Sequence, residues 1–312
     1  MPCAPLADAI VSLGAQTLRR AIALVEADGA HGGARAYLGA RVVYGDTDSL
    51  FIELPGASRA EAFAVGRAIA AAVTAAEPHP VELEFEKVYD PCVLVAKKRY
   101  AGYAWAHDAQ TAPTYEVKGL ESVRRDSCAA VAKAMDRSLR ALFDTAGDLS
   151  AAKLAVRRAL RRAAAADAPV SDFVFAKEVR LGSYRGLPPP SALVAARALA
   201  ADPMAAPQHG ERVPYVVVAG EPRAKLHELV VSPRDFVRAR GALRLHATYY
   251  VTKQLVPALQ RVLGLAGADV EAWLVDVRRG ARAPPPPPPP PPSAARGGAA
   301  PVSYTHLTLP TK

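Results

Sequence analysis

Two apolar arms around a short polar centre fix one piece of this chain before any other. Arg41-Val42-Val43 leads into Tyr44-Gly45-Asp46-Thr47-Asp48-Ser49 and out through Leu50-Phe51-Ile52. Apolar β-formers on both sides of a polar centre predict a β-hairpin, with Gly45 and the aspartates supplying the turn chemistry. Side chains two apart on extended backbone share a face, so Asp46 and Asp48 should crowd at the tip. Two carboxylates about 5 Å apart repel by about 3 kcal/mol at an effective dielectric near 20. Either a raised pKa on one of them or a hard divalent cation, which takes oxygen ligands and keeps water and phosphates, would offset that repulsion. A bare Asp-x-Asp is most often an ordinary polar turn. The apolar arms and the glycine favour a metal-holding hairpin.

Around this hairpin the chain alternates helical and extended signals. Residues 5–28 read as an amphipathic helix with Ile10, Leu13, Thr17, Ala21 and Leu24 on its buried stripe, broken by Asp28-Gly29 and Gly32-Gly33. Ser58 and Glu61 have capping-box spacing, which predicts a helix over 59–76 that stops before Pro78 and Pro80. Val81 to Glu86 alternates strictly and predicts a half-buried strand. Residues 91–105 read as a further strand or strand pair, in which an apolar run ends in Lys97, Lys98 and Arg99 beside Tyr100. Three like charges at the end of a buried strand suit phosphate contacts, which position a duplex without reading its sequence. From Lys118 onward helical signals dominate. Arg124 and Arg125 stand at the entrance of a helix expected to reach 146, and Arg157-Arg158 and Arg161-Arg162 are spaced to share a helix face, read as solvated. Short apolar runs at 172–177 and 213–218 are strand candidates, and helices are expected over 191–201, 248–263 and 268–277.

The 312 residues allow one or two domains, and 39 Lys and Arg against 30 acids leave an excess of nine positive charges that suits a polyanionic partner. No run of about 18 strongly apolar residues without charge is present, so no membrane partner is expected. Cys3, Cys92 and Cys128 form no Cys-x-x-Cys pair, give neither a disulfide framework nor a zinc site, and read as small core side chains. Beyond 280 come the nine prolines Pro284 to Pro292 and an ending, Pro301 to Lys312, that reads as a non-native scar outside the fold.

With its flanks, the string Tyr44 to Ser49 resembles the third palm motif of family B DNA polymerases. Glu84 to Tyr89, Lys97-Lys98-Arg99-Tyr100, Lys118 to Cys128, Asp172 to Glu178, Gly210 to Val216 and Ala247 to Gln254 extend the resemblance over roughly residues 1–278. These strings are similar to the translesion branch of that family and fit its replicative branch less well. The resemblance implies an α+β fold: a partial polymerase palm (an antiparallel sheet with packed helices) over 1–117, a mostly helical thumb over 118–279, and a disordered proline-rich tail over 280–312. It implies DNA-directed nucleotidyl transfer with two Mg²⁺ ions. Asp48 is then the main ligand, Asp46 a supporting one, and Glu86 lies beside the site. Lys97, Lys98, Arg99, Tyr100, Lys118, Arg124 and Arg125 are then the duplex contacts. The implied partners are primer–template DNA, and in the intact enzyme a deoxynucleoside triphosphate and accessory polymerase subunits, in the nucleus. The family's first palm motif, Asp-x-x-Ser-Leu-Tyr-Pro, and its triphosphate-gripping lysine have no counterpart, so the chain is expected to be a fragment inactive alone. The family's iron–sulfur cluster is not expected, because its cysteines are absent. A non-catalytic duplex-binding module is the alternative. An unrelated metal hydrolase is disfavoured, because no histidine pair stands at ligand spacing.

Overall fold

The computed structural model describes residues 3–27, 37–280 and 303–308. The glycine break after the first helix and the proline run lie outside the described residues. The chain divides into two units, one of Met1–Lys118 with Arg296–Lys312, the other of Gly119–Ala295.

The first unit is a six-stranded antiparallel sheet with two helices. Its strands are β1 (Arg41–Asp46), β2 (Ser49–Leu54), β3 (Glu84–Ala96), β4 (Arg99–Trp105), β5 (Thr114–Lys118) and β9 (Ser303–Thr308), in the order β1-β2-β9-β3-β4-β5. The expected α+β class is what the chain adopts. β2 shows why the arms of the hairpin are apolar. Leu50, Ile52 and Leu54 face the helices α1 (Ala4–Ala27) and α2 (Arg59–Ala76), joining Ala21, Val25, Phe63 and Ile69 in one core. Phe51 faces the other way, into a cluster with Tyr89 and Tyr100. Period-two alternation thus feeds two cores from one fully buried strand.

α2 has the predicted bounds and cap. The Ser58 hydroxyl accepts from the Glu61 N–H, and the Glu61 carboxylate accepts from the Ser58 N–H at 2.7 Å. α1 has the predicted span, and the predicted stripe holds in its second half, where Thr17 and Ala21 are buried and Leu24 packs on the core. Val25 is buried as well, whereas Ile10 and Leu13 are 64% and 63% exposed, because only the last turns of α1 reach the sheet and α2. Cys3 is likewise exposed rather than part of the core, Cys92 is partly buried and Cys128 is buried. The strand expected from Val81 begins at Glu84. The Leu83 N–H is taken by the Thr74 hydroxyl at the end of α2 (2.9 Å), which holds 81–83 against the helix and off the ladder.

Ser303–Thr308 was expected outside the fold, yet it pairs antiparallel with β2 on one side (Leu50↔Leu307, Ile52↔Thr305) and with β3 on the other (Phe85↔Leu307, Val88↔Thr305). The physical reason is the main chain of its neighbours. β2 pairs with β1 and β3 with β4 on one edge each, and the facing edges carry donors and acceptors that need partners in the interior of a sheet. An extended segment rich in β-formers satisfies both rows at once.

The second unit is mostly helical. α3 (Ala129–Asp144) and α4 (Leu149–Ala164) form a helical hairpin, and α5 (Pro190–Ala201) packs on a small sheet of β6 (Phe175–Glu178), β7 (Arg212–Val217) and β8 (Val230–Val231). The short helix α6 spans Pro233–Arg238. α7 runs through Ala247–Tyr249, Tyr250–Leu255 and Val256–Leu263, with wide π-type turns in its middle segment, and α8 covers Val270–Gly280. The unit is tied together by Tyr250, 1% exposed, whose hydroxyl donates to the Phe173 carbonyl and accepts from the Val217 N–H, both at 2.8 Å. Burial holds the Tyr250 pKa well above the usual phenol range, so the hydroxyl keeps the proton it donates.

Candidate metal-holding hairpin and duplex surface

The β1–β2 hairpin turns through two residues, Thr47 and Asp48, between the paired Asp46 and Ser49. Thr47 takes the strain of the turn at φ +50°. Gly45, expected in the turn, instead lies within β1 opposite Leu50, where an added Cβ would stand 3.3 Å from the Leu50 Cδ2 atom. Its function is close packing over β2. The Asp48 N–H donates to the Asp46 carbonyl, and Asp46 Oδ1 accepts from the Thr47 hydroxyl at 3.2 Å.

A second two-residue turn meets this tip. Lys97 and Lys98 do not extend a strand end; they connect β3 to β4. Lys98, at φ +59°, directs its N–H onto the Tyr44 hydroxyl (2.7 Å) and its ammonium to within 3.4 Å of Asp46 Oδ1. The two hairpins are therefore clasped by one lysine through both its backbone and its side chain. Beneath the clasp, Tyr44, Phe51, Tyr89 and Tyr100 cluster with ring centroids 5.0–5.9 Å apart, Phe51 and Tyr89 stacked and the other pairs tilted or edge-on. Burial, reinforced by the nearby Asp46 carboxylate, raises the Tyr44 pKa against the opposing effect of the Lys98 N–H.

The expected site residues separate. Asp46 closes β1 and Asp48 is the second turn residue, so both stand at the tip, but the turn breaks the extended spacing that was to put their side chains on one face. Glu86 does not join them: no group of three or more His, Cys, Asp or Glu side chains is placed to hold a metal among the described residues. Glu86 falls at a bulge in the pairing of β3 with β9 and meets the Lys87 ammonium at 3.1 Å. Lys97 and Lys98 are exposed, as are Lys118 at the end of β5 and Arg125. Tyr100, 8% exposed, is packed in the aromatic cluster and presents no surface for duplex, and Arg99 is half-buried. Arg124 is held by Asp126 in a bidentate pair (2.9 and 2.7 Å), so its charge is already met. The segment carrying both arginines is a run of turns, and α3 begins only at Ala129.

Sequence reading missed a network across β3, β4 and β5. Lys87 donates to Glu116 at 2.9 Å, and the buried Tyr89 hydroxyl donates to the same carboxylate at 2.7 Å. Burial alone would raise the Glu116 pKa, but the hydrogen bonds from Tyr89 and Lys87 outweigh it and hold the carboxyl below its usual range. Lys87 is raised: its bonds to Glu116 and Glu86 overcome its burial. The isolated charge of Glu116 in Thr114–Lys118 gave no signal, because the pairing partner lies 29 residues away.

The fold and this site define a class: the profile of DNA polymerase family B matches residues 1–265, and the chain belongs to that family. It is similar to the DNA polymerase zeta catalytic subunits of Arabidopsis thaliana (47% identical over 287 residues, 91% of this chain) and Saccharomyces cerevisiae (41% over 285 residues, 91% of this chain). Similarity to the DNA polymerase delta catalytic subunit of Mesocricetus auratus is lower, 34% over 268 residues and 84% of this chain. The chain spans 15% and 18% of the length of those two zeta relatives and 24% of the delta one. Among the described residues no helix is long and apolar enough to cross a membrane.

Proposed function

We propose that the chain supplies the metal-holding hairpin and part of the duplex surface of a zeta-type translesion DNA polymerase. The observation that carries this reading is the clasp of the Asp46-Thr47-Asp48 tip by Lys98, in a chain of this family. Met1–Lys118 then corresponds to the palm and the helical unit from Gly119 to the thumb. Mg²⁺ is usually held by one or two carboxylates together with water and substrate phosphates, which is the donor set Asp46 and Asp48 offer without Glu86. Once bound, such ions polarise phosphoryl oxygens and lower the pKa of the attacking hydroxyl. The chain's own residues do the positioning. Asp48 takes the principal ligand role and Asp46 the supporting one, since the Lys98 ammonium already engages one Asp46 oxygen. Lys97, Lys98, Lys118 and Arg125 neutralise backbone phosphates without reading bases. Primer–template duplex, a deoxynucleoside triphosphate and accessory polymerase subunits are the partners within the intact enzyme, acting in the nucleus in repair and replication.

The test is calorimetry with Mn²⁺ together with anisotropy on two unrelated duplexes. Two carboxylates should give a dissociation constant no tighter than about the millimolar range, near −4 kcal/mol, lost in Asp48→Ala. Micromolar binding that survives Asp48→Ala, or a duplex affinity indifferent to salt, would overturn the reading.

A further inference from the structure

The spacing of Arg157, Arg158, Arg161 and Arg162 on α4 suits a solvated helix face. Part of that face instead borders a cleft of about 330 Å³ between α3 and α4. The two helices are joined by a short loop and pack against each other. Alanines at four-residue spacing, Ala130 and Ala134 on α3 and Ala155, Ala159 and Ala163 on α4, line the space, so no side chain fills it. The rim carries Lys133 and Arg137 on α3 and Arg158 and Arg162 on α4, against the single carboxylate of Asp172. Each pair is four residues apart, one helical turn or about 6 Å along its axis.

Part of this charge is already engaged. Lys133 pairs with Asp172 at 2.6 Å, and Arg162 Nε donates to the Asp167 carbonyl at 3.2 Å. Arg137 and Arg158 are exposed and form neither an ion pair nor a side-chain hydrogen bond among the described residues.

We propose that this cleft is a docking site for an acidic peptide segment that brings one apolar side chain flanked by carboxylates, one for the free arginine of each helix. Charge complementarity selects the acid. The alanine-lined hollow selects the apolar anchor, for which a phosphate backbone has no use. Phe173 in the wall is 1% exposed and offers no ring face on which a base could stack, which disfavours single-stranded nucleic acid. The ends of the carboxylates meet the two free guanidiniums, whose planar forks suit bidentate pairing.

The experiment uses the full chain and a fluorescent peptide of glutamates with leucines at helical spacing. Its control replaces every leucine by serine at the same net charge. Arg137→Gln with Arg158→Gln should weaken peptide binding at least fivefold. Arg157→Gln with Arg161→Gln removes the same charge from α4 outside the cleft lining and should change it less than twofold. Ala159→Leu fills the hollow, leaves every charge in place, and should weaken the leucine peptide to the level of the serine control. Circular dichroism confirms that the variants are folded. Equal loss in both arginine pairs, equal binding of the serine peptide, or full binding by Ala159→Leu overturns the proposal. Loss of duplex affinity in Arg137→Gln/Arg158→Gln that matches the loss for peptide overturns it in favour of a nucleic-acid surface.

Discussion

Lys98 should affect duplex and metal in opposite directions. Its ammonium lies 3.4 Å from Asp46 Oδ1 while remaining 67% exposed, so it can meet a phosphate and also repel a cation at the tip. A divalent ion on that oxygen at about 2.1 Å would stand at most about 5.5 Å from the ammonium, so the repulsion worked at that distance is a lower bound. At the dielectric of water, two charges against one at that distance repel by about 1.5 kcal/mol. Screening at physiological ionic strength, with a Debye length of about 8 Å, halves this. Lys98→Ala should therefore tighten Mn²⁺ binding at least three- to fourfold by calorimetry. The same substitution removes one phosphate contact, which should flatten the plot of log affinity against log salt by about 0.9 and weaken all duplex sequences alike. The Lys98 N–H that holds Tyr44 survives the change, so the clasp of the two turns stays. Unchanged or weaker Mn²⁺ binding would show that no cation sits beside Asp46. A salt slope that does not move would show that Lys98 faces no phosphate.

Three further outcomes follow from the same geometry. Asp126→Ala releases Arg124 from its bidentate pair and should steepen the duplex salt slope by up to about 0.9; a slope unchanged in Asp126→Ala but flattened in Arg124→Ala would refute this. Glu116→Gln should flatten the acid side of the stability–pH curve. The Glu116 pKa is depressed in the fold, so its contribution is full above the unfolded value of 4.5 and is lost as pH falls through the folded one; chemical denaturation between neutral pH and about pH 3 measures it, and parallel curves for the two proteins would be the contrary result. Leu307→Pro removes a main-chain donor between β2 and β3 and should raise amide exchange across Ser49–Leu54 and Glu84–Tyr89, whereas unaltered protection there would mean that Ser303–Thr308 does not complete the sheet.

What was legible in the sequence was local. The Ser58–Glu61 box bounded α2 because its hydrogen bonds close within one turn. The apolar arms around Asp46 and Asp48 specified a hairpin because turn and register are set by neighbours. What was not legible depended on contacts distant in the chain. Nothing near Lys98 announces that its N–H will meet Tyr44, 54 residues earlier. Nothing near Tyr100 says that its ring will be enclosed by Phe51 and Tyr89 and lost to the duplex surface. Nothing in Arg124 distinguishes it from Arg125 until the turn places Asp126 against one and not the other.

The strand at Ser303–Thr308 marks the limit of pattern reading. Nothing in the composition of the chain's end marks it as part of the fold, and no periodic signal there identifies a central strand. What places it is a demand made elsewhere: β2 and β3 each present an unpaired ladder toward the other, and such main-chain groups pair with extended backbone whatever its side chains are. The requirement belongs to the sheet, so the segment meeting it needs only to be extended and near. The same logic governs the functional tip. Lys98 and Asp46 are brought together by the hairpins that carry them, and the strand between β2 and β3 sets how those hairpins sit within the sheet. Loss of order in that strand should therefore reach the tip, and Leu307→Pro is expected to weaken Mn²⁺ binding although Asp46, Asp48 and Lys98 are all intact.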